Sequence, residues 1–397
     1  MTGCWTRGAL LVGAVALVAA ALAGTAAARV DAAQAKTVNV GFIYSKTGAL
    51  AAFGQEEYDG FNAGLAYTKG KCGGYTIKPT FVDDATDPGT AVSAFKNLVG
   101  QGITMIGGTD SSGIALQLAP LAAQNNVLYI AGAAASDAIT GLNRNTFRAG
   151  RQSFQDVLDA SNFFPSKATG KKVVVFAEDT AFGAGNVAAV QQVFGKKGHT
   201  VSKILVPFNT PDLTPYAQQL KNSGADVVFV AWAGSNGPAM WQSLQQQGVP
   251  QKMTIVTGLA NRELYDATGP LVQGVTLVSH YVYQAPKNKV NTWMIKYLAK
   301  HHQGLPNLFT PDGFVTAQMM CRALQKGGTD VSKQISALEG WQFLAPKGKQ
   351  RIRPQDHAML QPMFLVQLVP GKGGHFNVKV AKTVSAGNVQ PPITAFK

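Results

Sequence analysis

Residues 172–206 read KVVVFAEDTAFGAGNVAAVQQVFGKKGHTVSKILV, and their apolar pattern indicates the fold class. The two runs at 172–177 and 200–206 are rich in Val and Ile, which is typical of strands. Between them, apolar residues recur at helical spacing over 182–196 and predict an amphipathic helix. A strand, a helix and a second strand of this length form one βαβ unit with parallel strands.

The same unit recurs on both sides of this stretch. Upstream, we predict strands at 38–44, 75–82, 103–106 and 127–130, and helices at 53–67, 89–99, 114–124 and 154–164. Downstream, we predict strands at 226–231, 253–257, 274–279 and 361–369, and helices at 213–222, 238–247, 289–302, 312–326 and 331–338. Two such series predict an α/β fold with two doubly wound parallel-sheet lobes.

The two lobes are predicted to be joined by a three-crossing hinge. We assign residues 36–151 and 281–357 to lobe I, and residues 152–280 and 358–397 to lobe II. A ligand of such a fold binds in the cleft between the lobes, at the carboxyl ends of the strands.

Residues 1–28 have the order of a secretory signal peptide: Arg7, an apolar run over 9–22, and a small-x-small cleavage pattern at 26–28. A second such pattern stands at 33–35. An uncleaved membrane anchor is the alternative, since the apolar stretch 9–28 is long enough to span a bilayer. No cysteine directly follows the run, which argues against a lipoprotein anchor. We therefore predict export to the periplasm or the extracellular face of the membrane.

The overall composition of the chain limits the classes of binding partner that we expect. The formal net charge is +14, but Lys and Arg are scattered and there is no arginine-rich arm. We interpret the charge as a solvated surface and do not expect nucleic acid as a partner. Cys72 and Cys321 follow the signal peptide, and an oxidising compartment permits a disulfide between them, which the sequence leaves open.

The common enzyme signatures G-x-S-x-G, H-E-x-x-H and C-x-x-C are absent from the sequence. Residues 183–188 match the dinucleotide pattern G-x-G-x-x-A, but Glu178 and Asp179 just before them would repel a pyrophosphate. The six histidines lack metal-ligand spacing, so we interpret them as solvated or core residues. We predict no enzymatic activity, no cofactor and no metal site.

The segment 107–113, GGTDSSG, follows a predicted strand and opens a helix. Its backbone N–H groups and the Ser111 and Ser112 hydroxyls suit a carboxylate at a positive helix end. Capping of the helix by Asp110 or Ser111 uses the same groups, so the segment alone leaves both interpretations open.

Four segments in order, 41–48, 82–88, 106–112 and 179–185, make the chain resemble a family over nearly all of residues 38–370. That family is the branched-chain amino acid and amide binding proteins of ABC importers, which are leucine-binding-protein-like and have the type I periplasmic binding protein fold. The resemblance implies an extracytoplasmic solute-binding protein. Such a protein captures a small amino acid, amide, or aromatic or aliphatic acid by hinge closure and passes it to an ABC permease in the membrane. A ligand-sensing receptor module of the same fold, or less readily an enzyme, is the alternative.

The resemblance also implies a ligand site. Ser111 and Ser112 would hold a carboxylate, and the other implied site residues are Ala133, Ala135, Ser136, Phe182, Trp232 and Phe314. Arg148 and Arg151, at the first crossing, could pair with an acid group or brace the hinge. Ala260 stands where amino-acid binders tend to carry a Glu for the ligand ammonium, which favours an organic acid, unless Glu263 or Asp179 takes that role.

Overall fold

The computed structural model describes Met1, residues 35–163 and residues 169–396. The chain divides into two compact units, Met1–Ala35 and Lys36–Lys397, and the fold below is that of the second. Apart from Met1, the predicted signal peptide lies outside the described residues. Among the described residues, no helix combines the length and the hydropathy needed to cross a membrane.

Lobe I begins with a five-stranded parallel sheet in the order β2-β1-β3-β4-β5. Its elements are β1 (Lys36–Tyr44), α1 (Ala51–Thr68), β2 (Tyr75–Asp83), α2 (Pro88–Gly100), β3 (Met105–Gly108), α3 (Ser112–Gln124), β4 (Leu128–Ala131) and β5 (Thr146–Arg148). Strands β3 and β4 are buried along their whole length because helices cover both faces of the sheet. The sequence pattern predicted all of these elements except β5, which is only three residues long.

Lobe II repeats the plan with a parallel sheet in the order β7-β6-β8-β9. Its elements are α4 (Ser153–Ala160), β6 (Lys172–Glu178), α5 (Ala181–Val193), β7 (Thr200–Val206), α6 (Thr214–Asn222), β8 (Val227–Ala231), α7 (Gly237–Gln246), α8 (Val249–Lys252), β9 (Thr254–Thr257), α9 (Tyr265–Thr268) and β10 (Leu277–Ser279). A bridge between Gly258 and Val278 joins β10 to the end of β9.

The chain then returns to lobe I through α10 (Lys289–Lys300), α11 (Thr310–Gly327) and α12 (Val331–Leu338). Helix α11 packs closely along α1, and a Cβ at Gly60 of α1 would collide with the backbone carbonyl of Thr310. A disulfide joins Cys72 to Cys321 of α11, with the two Cα atoms 4.7 Å apart. This close pairing of the first and last parts of lobe I resolves the question that the cysteine spacing left open.

Five further strands complete the second unit. Strands β11 (Gln342–Ala345), β12 (Gly348–Ile352) and β13 (Met359–Leu360) form a small antiparallel sheet whose apolar residues join the lobe I core. Strands β14 (Met363–Pro370) and β15 (Phe376–Val384) pair antiparallel and extend lobe II beside β10. The sequence pattern identified β14 but did not delimit β15, because most side chains of β15 are exposed and it has no continuous apolar run.

Near its C-terminus the chain contacts elements of both lobes. Strand β13 pairs with β12 on lobe I, and β14, which begins three residues after β13 ends, pairs with β10 of lobe II. The Arg353 guanidinium, on the lobe I side, donates hydrogen bonds to the carbonyls of Pro391 and Pro392. Residues 391 and 392, within the segment assigned to lobe II, therefore contact lobe I. The lobe boundaries themselves stay a prediction.

Candidate functional site

A cavity of about 430 Å³ lies between the two lobes, and we call it the ligand cavity. Its walls come from segments that directly follow β3 and β4 in lobe I and β6, β8, β9 and β10 in lobe II. These are the carboxyl ends of the strands, where open α/β sheets bind their ligands. The volume suits a small organic molecule.

The lobe I wall is built on the segment between β3 and α3. Ser111 is the N-cap of α3, and its Oγ accepts a hydrogen bond from the Ile114 N–H. The Ser112 Oγ accepts from the N–H groups of Ala135 and Ser136, at 3.2 and 3.1 Å, and so ties this segment to the one after β4. Ser111, Ser112 and Gly113 all line the ligand cavity, so the positive end of α3 points to it.

The acidic turn after β2 holds this wall in place. The Asp84 Oδ1 accepts from the Ser45 hydroxyl at 2.7 Å, and its Oδ2 accepts from the Thr109 hydroxyl. Because Ser45 follows β1 and Thr109 follows β3, one buried carboxylate joins the ends of three strands. Asp84 of the acidic motif at 82–88 thus stabilises the serine segment. It does not itself line the ligand cavity.

Aromatic side chains form a large part of the lobe II wall. Phe182, Phe208, Trp232 and Trp241 line the ligand cavity. The Trp232 ring stacks on Phe176 with centroids 5.6 Å apart, and its Nε1–H donates to the Asn236 Oδ1 at 2.8 Å. These two contacts hold the indole in one orientation, so the wall offers a rigid apolar surface.

Two arginines stand at the first crossing with different surroundings. Arg151 lines the ligand cavity, where its Nη1 donates to the Ala133 carbonyl and its Nε to the Asp156 Oδ2, both at 3.2 Å. Arg148 is fully buried and donates to the carbonyls of Ala134, Ser136 and Arg151. Burial lowers the pKa of Arg148 to about 10. Arg148 therefore braces the crossing, and Arg151 is the arginine that a ligand could reach.

Carboxyl groups also face the ligand cavity. Glu178, at the end of β6, accepts from the N–H groups of Ala233 and Gly234 at 2.8 and 2.9 Å. Asp110 lines the ligand cavity and interacts with the fully buried Glu57 of α1. Burial raises the pKa of Glu57 well above its usual value and that of Asp110 to about 7. Burial of the two neighbouring carboxyls therefore favours the neutral form of Glu57 more than that of Asp110.

His280, directly after β10, lines the same cavity. Its Nε2 lies 3.8 Å from the Asp312 Oδ2. Burial, followed by the positive charges of Arg151 and Lys347, lowers the pKa of His280 well below its usual value. The imidazole is therefore neutral at neutral pH and does not add to the charge of the site.

With this geometry established, residues 37–374 match the family model described as periplasmic binding protein. The chain belongs to this family. Family and fold agree with a solute-binding protein of the ABC-transporter type, with two parallel-sheet α/β lobes.

Curated relatives of this periplasmic binding protein carry related names. Leu/Ile/Val-binding protein homolog 3 of Brucella melitensis is 25% identical over 307 residues, which is 75% of this chain and 82% of that protein. Leu/Ile/Val-binding protein homolog 6 of Brucella abortus is 24% identical over 390 residues, 93% of this chain and 96% of that protein.

Solved structures show the same architecture. An ABC-type branched-chain amino acid transporter from Rhodopseudomonas palustris has a TM-score of 0.74 at 29% identity, covering 91% of this chain and 100% of that chain. A solute-binding protein of R. palustris in complex with 4-hydroxybenzoate has a TM-score of 0.80 at 23% identity, covering 88% and 97% of the two chains. The second likeness concerns the fold alone.

The structure places seven of the ten predicted site residues on the ligand cavity of the binding protein: Ser111, Ser112, Ala133, Ala135, Arg151, Phe182 and Trp232. Their binding of a ligand stays a prediction. The remaining three, Arg148, Ser136 and Phe314, are not among the residues that line the cavity.

Phe314 and Ser136 lie elsewhere for identifiable reasons. Phe314 is fully buried between α1, α10 and α11, with its ring centroid 5.3 Å from that of Tyr67. It faces α1 because α11 packs along that helix, and Phe309 lines the cavity from this part of the chain. Ser136 turns its Oγ towards the N–H of Ala138 and caps a short 3₁₀ turn.

The two carboxylates proposed to replace the missing Glu at position 260 also lie away from the ligand cavity, although Ala260 itself lines it. Asp179 is exposed, and the Glu263 side chain is 63% exposed. Sequence reasoning missed Asp110, Glu178 and His280 as cavity residues. The rule that ligands meet the carboxyl ends of strands would have found Glu178 and His280, which end or follow predicted strands. No sequence signal marks Phe309, since it precedes a helix of lobe I.

Proposed function

We propose that this binding protein captures a small carboxylate-bearing ligand, an amino acid or an aromatic or aliphatic acid, in the ligand cavity. The observation that carries the proposal is the N-terminus of α3, with Ser111 and Ser112, facing an aromatic wall across one cavity. A ligand carboxylate accepts hydrogen bonds from the hydroxyls and N–H groups at that helix end. Its apolar part then lies against Phe182 and Trp232.

The hydrogen bonds to the carboxylate and the contacts of the apolar part contribute differently to ligand binding. Charge-assisted hydrogen bonds contribute about 1.5–3 kcal/mol each and orient the ligand. Burial of its apolar surface against the aromatic wall adds affinity at roughly 25 cal/mol per Å². Because the two walls belong to different lobes, a ligand that contacts both shifts the population towards the closed form. The closed form is the one that an ABC permease in the membrane would recognise.

An amino acid remains within the proposed ligand class although Ala260 offers no carboxylate. An unpaired ligand ammonium in a closed cleft would be costly. Asp110 and Glu178 both line the ligand cavity and supply a negative partner for the ammonium. An acid without an amine would instead rely on Arg151, the cationic side chain on the same cavity.

The setting of this activity is also proposed. The binding protein is exported to the periplasm or the outer face of the membrane after removal of residues 1–28, without a lipid anchor. It works as a carrier without cofactor, catalysis or nucleic acid. Support comes from the signal-peptide pattern and from the transport role of the family.

The test is calorimetric titration of the chain with Ser111→Ala and Ser112→Ala combined, after a thermal-shift screen has identified a ligand among amino acids, amides and organic acids. We expect affinity to fall at least about tenfold, the equivalent of about 1.4 kcal/mol, because two hydroxyl donors are lost. The matched control combines Ser332→Ala and Ser336→Ala, two exposed serines of α12. Unchanged affinity in a folded S111A/S112A chain would remove the serine segment from the site.

A further inference from the structure

A second cavity of about 440 Å³ opens beside the ligand cavity, and we call it the side cavity. It lies between α1 of lobe I, the segments 233–235 and 261–264 of lobe II, and the connection from α10 to α11. The two cavities share part of their walls, including Leu50, Phe53 and Asn261. Neither the serine segment nor Phe182 and Trp232 line the side cavity, so its chemistry is separate from that of the carboxylate site.

Three carboxylates line the side cavity: Glu56 and Asp59 of α1, and Glu263. Arg262 is the cation among the described lining residues, and its Nη2 lies 3.4 Å from the Glu263 Oε1. Because burial raises the pKa of Glu56 well above its usual value and favours its neutral form, the lining carries one negative charge in excess, on a chain whose formal net charge is +14. The side cavity is thus a local reversal of the overall charge.

Two amide side chains add carbonyl oxygens that accept no hydrogen bond from the described residues. Asn261 is 5% exposed, and its Nδ2 donates to the Glu56 Oε1 at 2.6 Å. The Gln303 Nε2 donates to the Asp59 Oδ1 at 2.7 Å. Because both NH₂ groups donate to carboxylates, the remaining amide atoms are the carbonyl oxygens. These two oxygens are buried and have no hydrogen-bond partner among the described residues.

Buried acceptors without donors cost free energy, and so do buried carboxylates without cations. Burial raises the pKa of both Glu56 and Asp59, because it removes their carboxyl groups from water. A ligand group with a positive charge and several N–H donors satisfies both needs at once. Ammonium and guanidinium groups have this character, since they donate from every N–H and accept from none.

The remaining walls match an aliphatic chain. Ala49, Leu50 and Ala52 line the side cavity from the start of α1, and Leu298 and Leu305 line it from the α10 side. Their surfaces are apolar and offer contact area to methylene groups but not to additional charges. A cation carried on a short aliphatic chain therefore fits both parts of the side cavity.

We propose that the side cavity is a second binding site, which takes the ammonium or guanidinium group of an aliphatic organic cation. The group would contact the oxygens of Asn261 and Gln303 and the carboxylates of Asp59 and Glu263. It is either the distal end of a ligand whose carboxylate occupies the serine segment, or a separate molecule. The site goes beyond the carboxylate-binding function, and only the first of these two alternatives rests on that function.

The test uses agmatine, an aliphatic guanidinium compound without a carboxylate, in calorimetric titration of the purified chain. We expect agmatine to bind, and Asp59→Asn combined with Glu263→Gln to weaken that binding at least about tenfold. The matched control is Asp266→Asn, which removes one negative charge from a half-exposed carboxylate of α9 outside both cavities. The S111A/S112A chain should bind agmatine as the unaltered chain does, which separates this proposal from the proposed function.

Three outcomes would overturn the side-cavity site: absence of agmatine binding at millimolar concentration, equal weakening by Asp266→Asn, or equal weakening by S111A/S112A. Arginine and citrulline distinguish the two sources of the cation, since citrulline carries a neutral urea in place of the guanidinium. Tighter binding of arginine than of citrulline, lost in either set of variants, supports one ligand that spans both cavities. Simultaneous binding of agmatine and a carboxylate ligand supports two molecules.

Discussion

The two lobes contribute opposite chemistry to the same cleft. Lobe I presents hydroxyls, backbone N–H groups and Arg151, whereas lobe II presents a set of aromatic rings beside the carboxylates of Asp156 and Glu178. Behind the walls, lobe I holds the fully buried ion pair of Lys347 and Asp312, whereas the buried Asp159 carboxyl of lobe II has no hydrogen-bond partner among the described residues. Lobe I is thus suited to orient a ligand, and lobe II to cover it.

The largest effect is expected from the buried ion pair of lobe I. Lys347→Met leaves Asp312 fully buried without its cation, so we expect the free energy of unfolding to fall by about 3–5 kcal/mol. Chemical denaturation followed by circular dichroism measures this change. Lys349→Met, at an exposed position of β12, is the control. Equal stability of the two variants would mean that lobe I does not depend on its buried charges.

The disulfide should stabilise one lobe and not the other. Both cysteines lie in lobe I, although the chain between them also forms most of lobe II, and replacing Cys72 and Cys321 by Ser should lower the unfolding free energy by about 2–4 kcal/mol. Hydrogen exchange should speed up in α1 and α11 while β6 and β8 of lobe II keep their protection. Loss of protection in both lobes to the same extent would show that they unfold as one unit.

The aromatic wall should matter only for ligands with apolar groups. Phe182→Ala removes ring surface from the lobe II wall, so we expect about tenfold weaker binding of a ligand with an apolar side chain. A ligand with the same carboxylate and no side chain serves as the control and should bind with little change. If calorimetry showed equal losses of affinity for the two ligands, the lobe II wall would not act through the apolar part of the ligand.

The smallest expected effect is on the pH dependence of the melting temperature, through Asp110 of lobe I. The pKa of Asp110 is raised to about 7 in the folded chain, above its unfolded value, so its contribution to stability is present at low pH. That contribution is lost as the pH rises through about 7. Melting temperatures between pH 5 and pH 8 should therefore fall less in Asp110→Asn than in the unaltered chain. Asp212→Asn, an exposed change in lobe II, should keep the full pH dependence.

Sequence reasoning predicted the regular parts of the fold well. The helices α1 to α3 and α5 to α7 match predicted segments within a few residues, because their apolar spacing is a local property. It missed β5 and the small sheet of β11 to β13, because strands of two to five residues are too short to show a clear apolar period. It also left the disulfide open, since cysteine spacing carries no information on three-dimensional proximity.

The residues of the candidate site likewise fall into those that local sequence patterns predict and those that only long-range packing places. Ser111 and Ser112 were predictable because a strand, a loop and a helix N-terminus are contiguous in the chain. That Phe309 lines the cavity in place of Phe314 was not predictable, because it depends on which face of α11 packs on α1. The carboxyl pair of Glu57 and Asp110 joins residues from two elements whose neighbourhood no local pattern records.

For this protein, local chemistry along the chain determined the α/β alternation, the two-lobed plan and the serine-bearing N-terminus of α3. Periodicity, capping and loop composition act over a few residues, so they can be recognised before the fold is known. Long-range packing determined the two cavities, the buried partners of Arg148 and Asp312, and the acceptor-lined walls around Asn261. Those features depend on segments that are far apart in the chain and meet only when both lobes are assembled.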